Sequence, residues 1–190
     1  MGKRKIAMCG DAGSGKSTMA EHLVKQGCVK ESFAKPIKDI CEIAFGFTHE
    51  QLYGSKKEVV DEYWQVTPRE MMQFVGTDLF RNALAEKFPH IGKNIWIRHM
   101  ARRVEKLERK ELQPVIDDLR FEDEDAWCTS HGFVKIGVKR QKILDAPSPF
   151  AHHESEKGKL SPDFVLENHG TIDELHTKLD TIMKSIDGKD

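Results

Sequence analysis

The chain has 190 residues, 38% of them hydrophobic and 32% charged, with a formal net charge of −1. That length suits one domain with a full core, and the balanced charge excludes a global electrostatic attraction to nucleic acid or to an anionic membrane surface. No apolar run approaches the roughly 20 residues that span a bilayer, and the apolar stretch behind the basic start Met1–Lys5 is too short for a signal peptide, so a cytoplasmic protein is expected.

The first apolar segment, Ile6–Cys9, is long enough for a buried strand. Behind it stands Gly10-Asp11-Ala12-Gly13-Ser14-Gly15-Lys16-Ser17, which fits G-x-x-x-x-G-K-[ST] without a mismatch. A helix-like segment from Lys16 to Gln26 follows, closed by Gly27. Strand, glycine loop and helix are the context this motif requires. The glycines let backbone N–H groups turn inward around a polyphosphate, and the helix aims its positive end at the same anion. Gly10, Ala12, Gly13, Ser14, Gly15, Lys16, Ser17 and Thr18 are therefore expected to hold a nucleotide. Lys16 would reach its β- and γ-phosphates and the Ser17 hydroxyl would sit on Mg²⁺.

Val29–Ala34 reads as a second strand, and strand–helix–strand after a phosphate loop predicts a parallel sheet with right-handed crossovers. Pro36 suits the first turn of a helix ending near Phe45-Gly46. Lys35 would then stand at the carboxyl end of a strand, where open α/β sheets bind ligands; a solvated lysine is the plainer alternative. Residues 47–66 are less regular, with a short helix ending at Gln51-Leu52-Tyr53-Gly54. Thr67, Pro68 and Glu70 form a helix start with a capping box. The helix runs to Val75, with Met71, Met72 and Val75 inward and Arg69 and Gln73 sharing another face. Gly76-Thr77-Asp78 is expected to interrupt the pattern before Leu79–Phe88 resumes it.

A long helix is predicted from Asn94 to about Leu112, with the stripe Ile97, Met100, Ala101, Val104 and Leu107. Its other face mixes both charges, as a solvated face does. Trp96 at its start reads as packing or as a platform for a base. Pro114–Asp118 is a strand ending in acids, and a strand-end carboxylate is the usual partner of a phosphate-loop hydroxyl around Mg²⁺. Asp117 and Asp118 compete for that place. Arg120 follows, then a helix to about His131, a strand Phe133–Val138, and the cations Lys139, Arg140 and Lys142. Residues 144–162 are rich in proline and charge and read as a loop or lid. Phe164–Leu166 is a last strand. Thr171 with Glu174 starts a helix whose stripe is Ile172, Leu175, Leu179, Ile182 and Ile186. The four cysteines lack C-x-x-C spacing and read as buried thiols in a reducing compartment. The histidines show no metal-ligand spacing, and the pair His152-His153 is not expected to hold one.

The segments Gly10–Thr18, Ala34–Asp39, Met72–Leu79, Asp118–Phe121, His153–Glu156 and Val165–Thr171, in this order, resemble the phage deoxynucleoside monophosphate kinases, a branch of the P-loop kinases, over nearly the whole length. The resemblance implies a three-layer α/β P-loop kinase fold with a central parallel sheet, a helical monophosphate-binding insertion (about 36–112) and a short lid (139–162) within one domain of residues 1–190. It implies transfer of the ATP γ-phosphoryl group to a deoxynucleoside 5′-monophosphate with Mg²⁺. Nucleic acid and membrane are not expected as partners. A homodimer is compatible, with the stripe on 97–107 as a possible face. Arg69, Gln73, Thr77 and Asp78 would border the acceptor with Lys35 and Trp96, and Arg120 would meet its phosphate. Lys16, Arg120 and Arg140 would supply catalytic charge, Lys142 would be a further lid cation, and the pattern of Asp followed two residues later by Arg favours Asp118 for Mg²⁺. The lid and the section 46–66 are more compact than in larger relatives. Phosphoryl transfer asks for alignment and positive charge, and an ionised acceptor phosphate needs no general base, so no catalytic His or Glu is expected. The rival readings are a P-loop kinase of another phosphorylated acceptor, of phosphomevalonate or dephospho-CoA type, and a nucleotide-hydrolysing binding module.

Overall fold

The computed structural model describes residues 4–140 and 160–188. Five parallel strands, β1 (Lys5–Cys9), β2 (Val29–Glu31), β3 (Pro114–Leu119), β4 (Phe133–Lys139) and β5 (Phe164–Glu167), form one sheet in the order β2-β3-β1-β4-β5. The chain divides into two compact units, Met1–Ser32 with Ala101–Asp190, and Phe33–Met100.

The first unit contains the sheet. Successive strand residues point to opposite faces, and β4 shows the division. Ile136 and Val138 join Ile6, Met8, Val115 and Leu166 under helices α1 (Lys16–Lys25) and α8 (Ile172–Asp187), which supply Met19, Ala20, Leu23, Leu175, Leu179, Met183 and Ile186. Phe133 and Lys135 face the other way, against α7 (Glu122–Ser130), where Trp127 packs on Phe133 and Asp125 pairs with Lys135 at 3.0 Å. This gives the three expected layers. Two details differ from the sequence pattern. β2 stops at Glu31 rather than Ala34, because residues 33 and 34 already turn towards the next helix. The α8 stripe includes Met183, and Ile172 is 61% exposed, as the first residue of a helix capped by Thr171 Oγ1 accepting from Glu174 N.

The second unit is helical: α2 (Lys35–Phe45), α3 (His49–Tyr53), α4 (Pro68–Gln73) and α5 (Leu84–Lys87). Gly46 ends α2 at φ +69°, the left-handed turn that glycine adopts without strain. Cys41, Phe47, Leu52 and Val75 make the buried core, with Ile37, Ile40, Met71, Met72 and Phe80 packed on it. The capping box of Thr67 and Glu70 forms, and a second joins Thr48 to Gln51. The expected break at Gly76-Thr77-Asp78 is absent. The chain stays helical through a π-helical stretch, Phe74–Ala83, that joins α4 to α5. A Cβ on Gly76 would lie 2.8 Å from Ile37 Cδ1, so glycine lets the two helices approach.

Helix α6 (Ile95–Glu108) carries the stripe expected on 97–107. Ile97, Met100 and Val104 are buried within the chain. That is a correction to its suggested use as a dimer face, since the stripe is already covered. All four cysteines are buried free thiols. Among the described residues, no helix is long and apolar enough to cross a membrane. Lys142, His152-His153, the segment His153–Glu156 and most of the expected lid lie outside the described residues.

Candidate functional site: a phosphate loop at the carboxyl edge of the sheet

The loop Gly10–Ser17 leaves β1 at the carboxyl edge of the sheet and enters α1. Gly10 has φ +139°, and a Cβ there would meet the Val138 carbonyl oxygen at 2.2 Å. Only glycine lets β1 turn out beside β4 at this point. The N–H groups that open α1 have no intrahelical acceptor, which leaves them for an anion. Lys16 folds over the loop, with Nζ donating to Gly10 O (2.7 Å), Asp11 O (2.6 Å) and Ser14 Oγ (3.4 Å). Burial lowers its pKa most, and the nearby positive charge of Arg120 lowers it further, while Asp117 and Asp11 oppose them. Two cations are thus gathered where an anionic ligand would relieve both.

The acid at this point is Asp117. Its Oδ2 accepts from Ser17 Oγ at 2.9 Å and pairs with Lys30 Nζ at 2.8 Å, and the residue is only 7% exposed. Asp118, favoured by the resemblance, accepts instead from Ser32 Oγ at 2.7 Å. The physical reason lies in the strand. Ala7 pairs with Ile116 and Cys9 with Leu119, so Asp117 and Asp118 together oppose Met8. The added residue breaks the period-2 alternation and re-aims the side chains beside it. Counting faces along β3 therefore cannot assign the two acids. Lys30 was not singled out in the sequence, where an exposed lysine on a short strand carries no signal.

Arg120 follows β3. Its backbone N–H and that of Phe121 donate to Glu124 Oε2 (3.1 and 3.2 Å), so the buried Glu124 holds the turn that presents the guanidinium. Arg140 follows β4, with Nη1 donating to Gly13 O at 3.3 Å. The loop and Arg140 border an open cavity of ≈ 390 Å³, lined by Gly13–Thr18, Arg140, Asn168, Gly170–Ile172 and Leu175. Its size is that of a small-molecule site. The exposed Ile172, which the core does not use, lies on its wall. Asn168 and Ile172 were missed as site residues; their place just past a strand's carboxyl end is the signal that could have found them.

The remaining candidates lie in the helical unit. Lys35 opens α2 and its Nζ is bound to both oxygens of Asp39 at 2.8 Å. Arg69 and Gln73 lie on α4, with Arg69 paired to Glu58. Thr77 is buried and Asp78 exposed in the π stretch. Trp96 is 5% exposed; its indole N–H donates to Gly76 O at 2.8 Å and its ring packs on Phe80. Its surface is thus spent on packing, the plainer of the two sequence readings.

A parallel sheet ordered 2-3-1-4-5, with a G-x-x-x-x-G-K-S loop leaving its central strand and a Ser–Asp pair beneath it, defines a P-loop kinase fold. Solved structures agree in architecture. A dephospho-CoA kinase from Campylobacter jejuni is similar with a TM-score of 0.53 and 15% identity, covering 96% of each chain. The TT1252 protein of Thermus thermophilus is similar with a TM-score of 0.50 and 18% identity, covering 96% of this chain and 98% of that one. Residues 47–179 match the family described as deoxynucleotide monophosphate kinase. A protein of Acanthamoeba polyphaga mimivirus, provisionally named a deoxynucleotide monophosphate kinase, is 36% identical over 183 residues, covering 92% of this chain and 93% of the relative. The chain belongs to the deoxynucleotide monophosphate kinase family, and it is an enzyme of the phosphotransferase class.

Proposed function

We propose that the enzyme moves the γ-phosphoryl group of ATP to the 5′-phosphate of a deoxynucleoside monophosphate, giving the diphosphate. The observation that carries the donor half is the loop itself: Lys16 over its carbonyls, Arg120 close enough to depress the Lys16 pKa, and Ser17 bonded to Asp117. Family membership supports the acceptor class.

The residues fit Mg²⁺. Ser17 Oγ and Asp117 Oδ2 are hard oxygen donors 2.9 Å apart, and one carboxylate with one hydroxyl matches the way Mg²⁺ is shared between protein and phosphate oxygens. Asp117 therefore replaces Asp118 as the proposed carboxylate. Bound there, the ion would neutralise charge between the phosphates. The chain's own groups do the rest. Loop N–H groups hold the donor phosphates, and Lys16 leaves the loop carbonyls for the phosphate oxygens. Arg120 and Arg140 bring positive charge to the transferring group, where charge fixed in advance counts most. No side chain has to remove a proton, because the attacking phosphate is already ionised at neutral pH. Arg69, Gln73, Thr77 and Asp78 are proposed as acceptor contacts, with Lys35 as a further cation.

The likeness to dephospho-CoA kinase is one of fold and names no substrate for this chain. The test is Mg-ATP incubated with each deoxynucleoside monophosphate, with dephospho-CoA, and with no acceptor, following ADP. ADP formed only with one or more monophosphates is the expected result. ADP formed with dephospho-CoA alone, or without any acceptor, would overturn the proposal.

A further inference from the structure

One side chain ties the far end of the sheet to the phosphate loop. Asn168 is the first residue past β5 and is 8% exposed. Its backbone N–H donates to Lys139 O at 2.7 Å, continuing the β4–β5 ladder beyond the pair Lys139–Glu167. Its amide Nδ2 donates to the carbonyl oxygen of Ser14 at 2.8 Å, and Ser14 is 1% exposed. Gly15 lies directly against that amide: a Cβ there would stand 2.7 Å from Nδ2.

In a trans peptide the C=O of one residue and the N–H of the next point in opposite directions. By drawing the Ser14 carbonyl towards the strand end, Asn168 turns the Gly15 N–H away from itself, to the opposite side of the loop. Gly15 is the residue from which α1 starts, and N–H groups at a helix start are those that bind phosphate. Without the amide, the Ser14–Gly15 peptide is free to rotate, and glycine offers little resistance.

We propose that Asn168 is a positioning residue for the donor phosphates, holding the Ser14–Gly15 peptide in its anion-binding orientation before nucleotide arrives. The proposal rests on reading the loop as the donor site. The position asks for asparagine in particular. Aspartate would set a carboxylate oxygen against the Ser14 carbonyl, and alanine would leave that carbonyl without its donor. Glutamine adds a methylene where Gly15 already touches the amide.

The test is the affinity of the full chain for Mg-ATP and Mg-ADP, by calorimetric titration, in Asn168→Ala and Asn168→Asp, with KM for the monophosphate and the thermal midpoint measured alongside. Asn168→Ala is expected to weaken both nucleotides about ten-fold, the size of one buried hydrogen bond. Asn168→Asp should weaken them further at about pH 7.5 and recover part of the loss at about pH 5.5, because a protonated carboxyl can donate to the carbonyl again. The monophosphate KM should stay within about two-fold, since Asn168 lies on the donor cavity. Unchanged nucleotide affinity in Asn168→Ala overturns the proposal, as does a loss that falls equally on the monophosphate. If Asn168→Asp does not fold, Asn168→Ala decides alone, provided its midpoint matches the parent; an affinity loss matched by a collapsed midpoint counts against positioning. Parent enzyme that binds no Mg-ATP removes the donor reading and this inference together, whereas tight parent binding with unaffected variants removes only the inference.

Discussion

In the sheet unit, buried charges meet partners on other elements: Glu31 with Arg103 at 2.5 Å, Asp117 with Lys30, Lys135 with Asp125. In the helical unit, several carboxylates and hydroxyls are instead spent on nearby backbone. Thr67 and Glu70 cap each other's turn, Glu50 accepts from Ser55, and Asp61 accepts from the N–H groups of Tyr63 and Trp64. The helical unit also leaves Tyr63 82% and Val59 56% exposed. Pairs between elements fix charge in space, which suits a site where phosphates must be met by groups that do not rearrange. Local caps hold each helix's own first turn, and the helices meet through the apolar core around Cys41 and Val75. The two units thus differ in what a single substitution can reach.

The largest expected effect tests whether the chemistry belongs to the sheet unit. Lys16→Ala should lower turnover by about 10³-fold, as loss of a group acting on transition-state charge does, with thermal stability unchanged. Near-parent turnover would remove Lys16 from the mechanism. Next, Asp117→Asn should lower turnover about 10²-fold and weaken its Mg²⁺ dependence. Asp118→Asn should stay within about three-fold, because an amide oxygen still accepts from Ser32. Equal losses in the two would mean that the bulge in β3 does not separate their roles.

A smaller effect lies in the helical unit. Thr67→Ala removes a cap and should cost about 1 kcal/mol of stability, read by denaturant titration. An unchanged midpoint would show that the box contributes nothing to the unit. The smallest is pH-dependent. Hydrogen bonds hold the carboxyls of Glu70, Glu50 and Asp61 below their ordinary values of 4.5, 4.5 and 3.8. A carboxyl with a lowered folded pKa contributes stability above its unfolded pKa and loses it as pH falls through the folded one. The helical unit should therefore loosen below about pH 4. Cys41 reports it, being buried there with its thiol pushed up to about 11, whereas Cys9, Cys28 and Cys128 report the sheet unit. On acidification, a pyridyl disulfide should label Cys41 before the other three. Simultaneous labelling would mean that the units open as one.

Much of this was legible in the residues because the signals are local. The loop Gly10–Ser17, the Thr67–Glu70 box and the termination at Gly46 are each decided within a few positions. Features that depend on a distant partner were not. β2 is three residues long because the chain must turn at Phe33, and three-residue strands carry little periodicity. Gly76 suggested a break, since nothing in the sequence shows Ile37 pressing on it or Trp96 capturing its carbonyl. The choice between Asp117 and Asp118 hung on a bulge set by pairing with β1. Asn168 carries no local signal of its bond to Ser14, because that partner lies 154 positions away.

The π-helical stretch Phe74–Ala83 sets the facing of the proposed acceptor arm. Its turns are one residue wider than α-helical turns, closed i→i+5 instead of i→i+4. Each residue of an α-helix advances the side-chain direction by about 100°, and a wider turn advances it less. Thr77 and Asp78 therefore stand on faces that a plain α-helical continuation of α4 would not give them. Between 74 and 83 the sequence encodes direction as much as chemical identity.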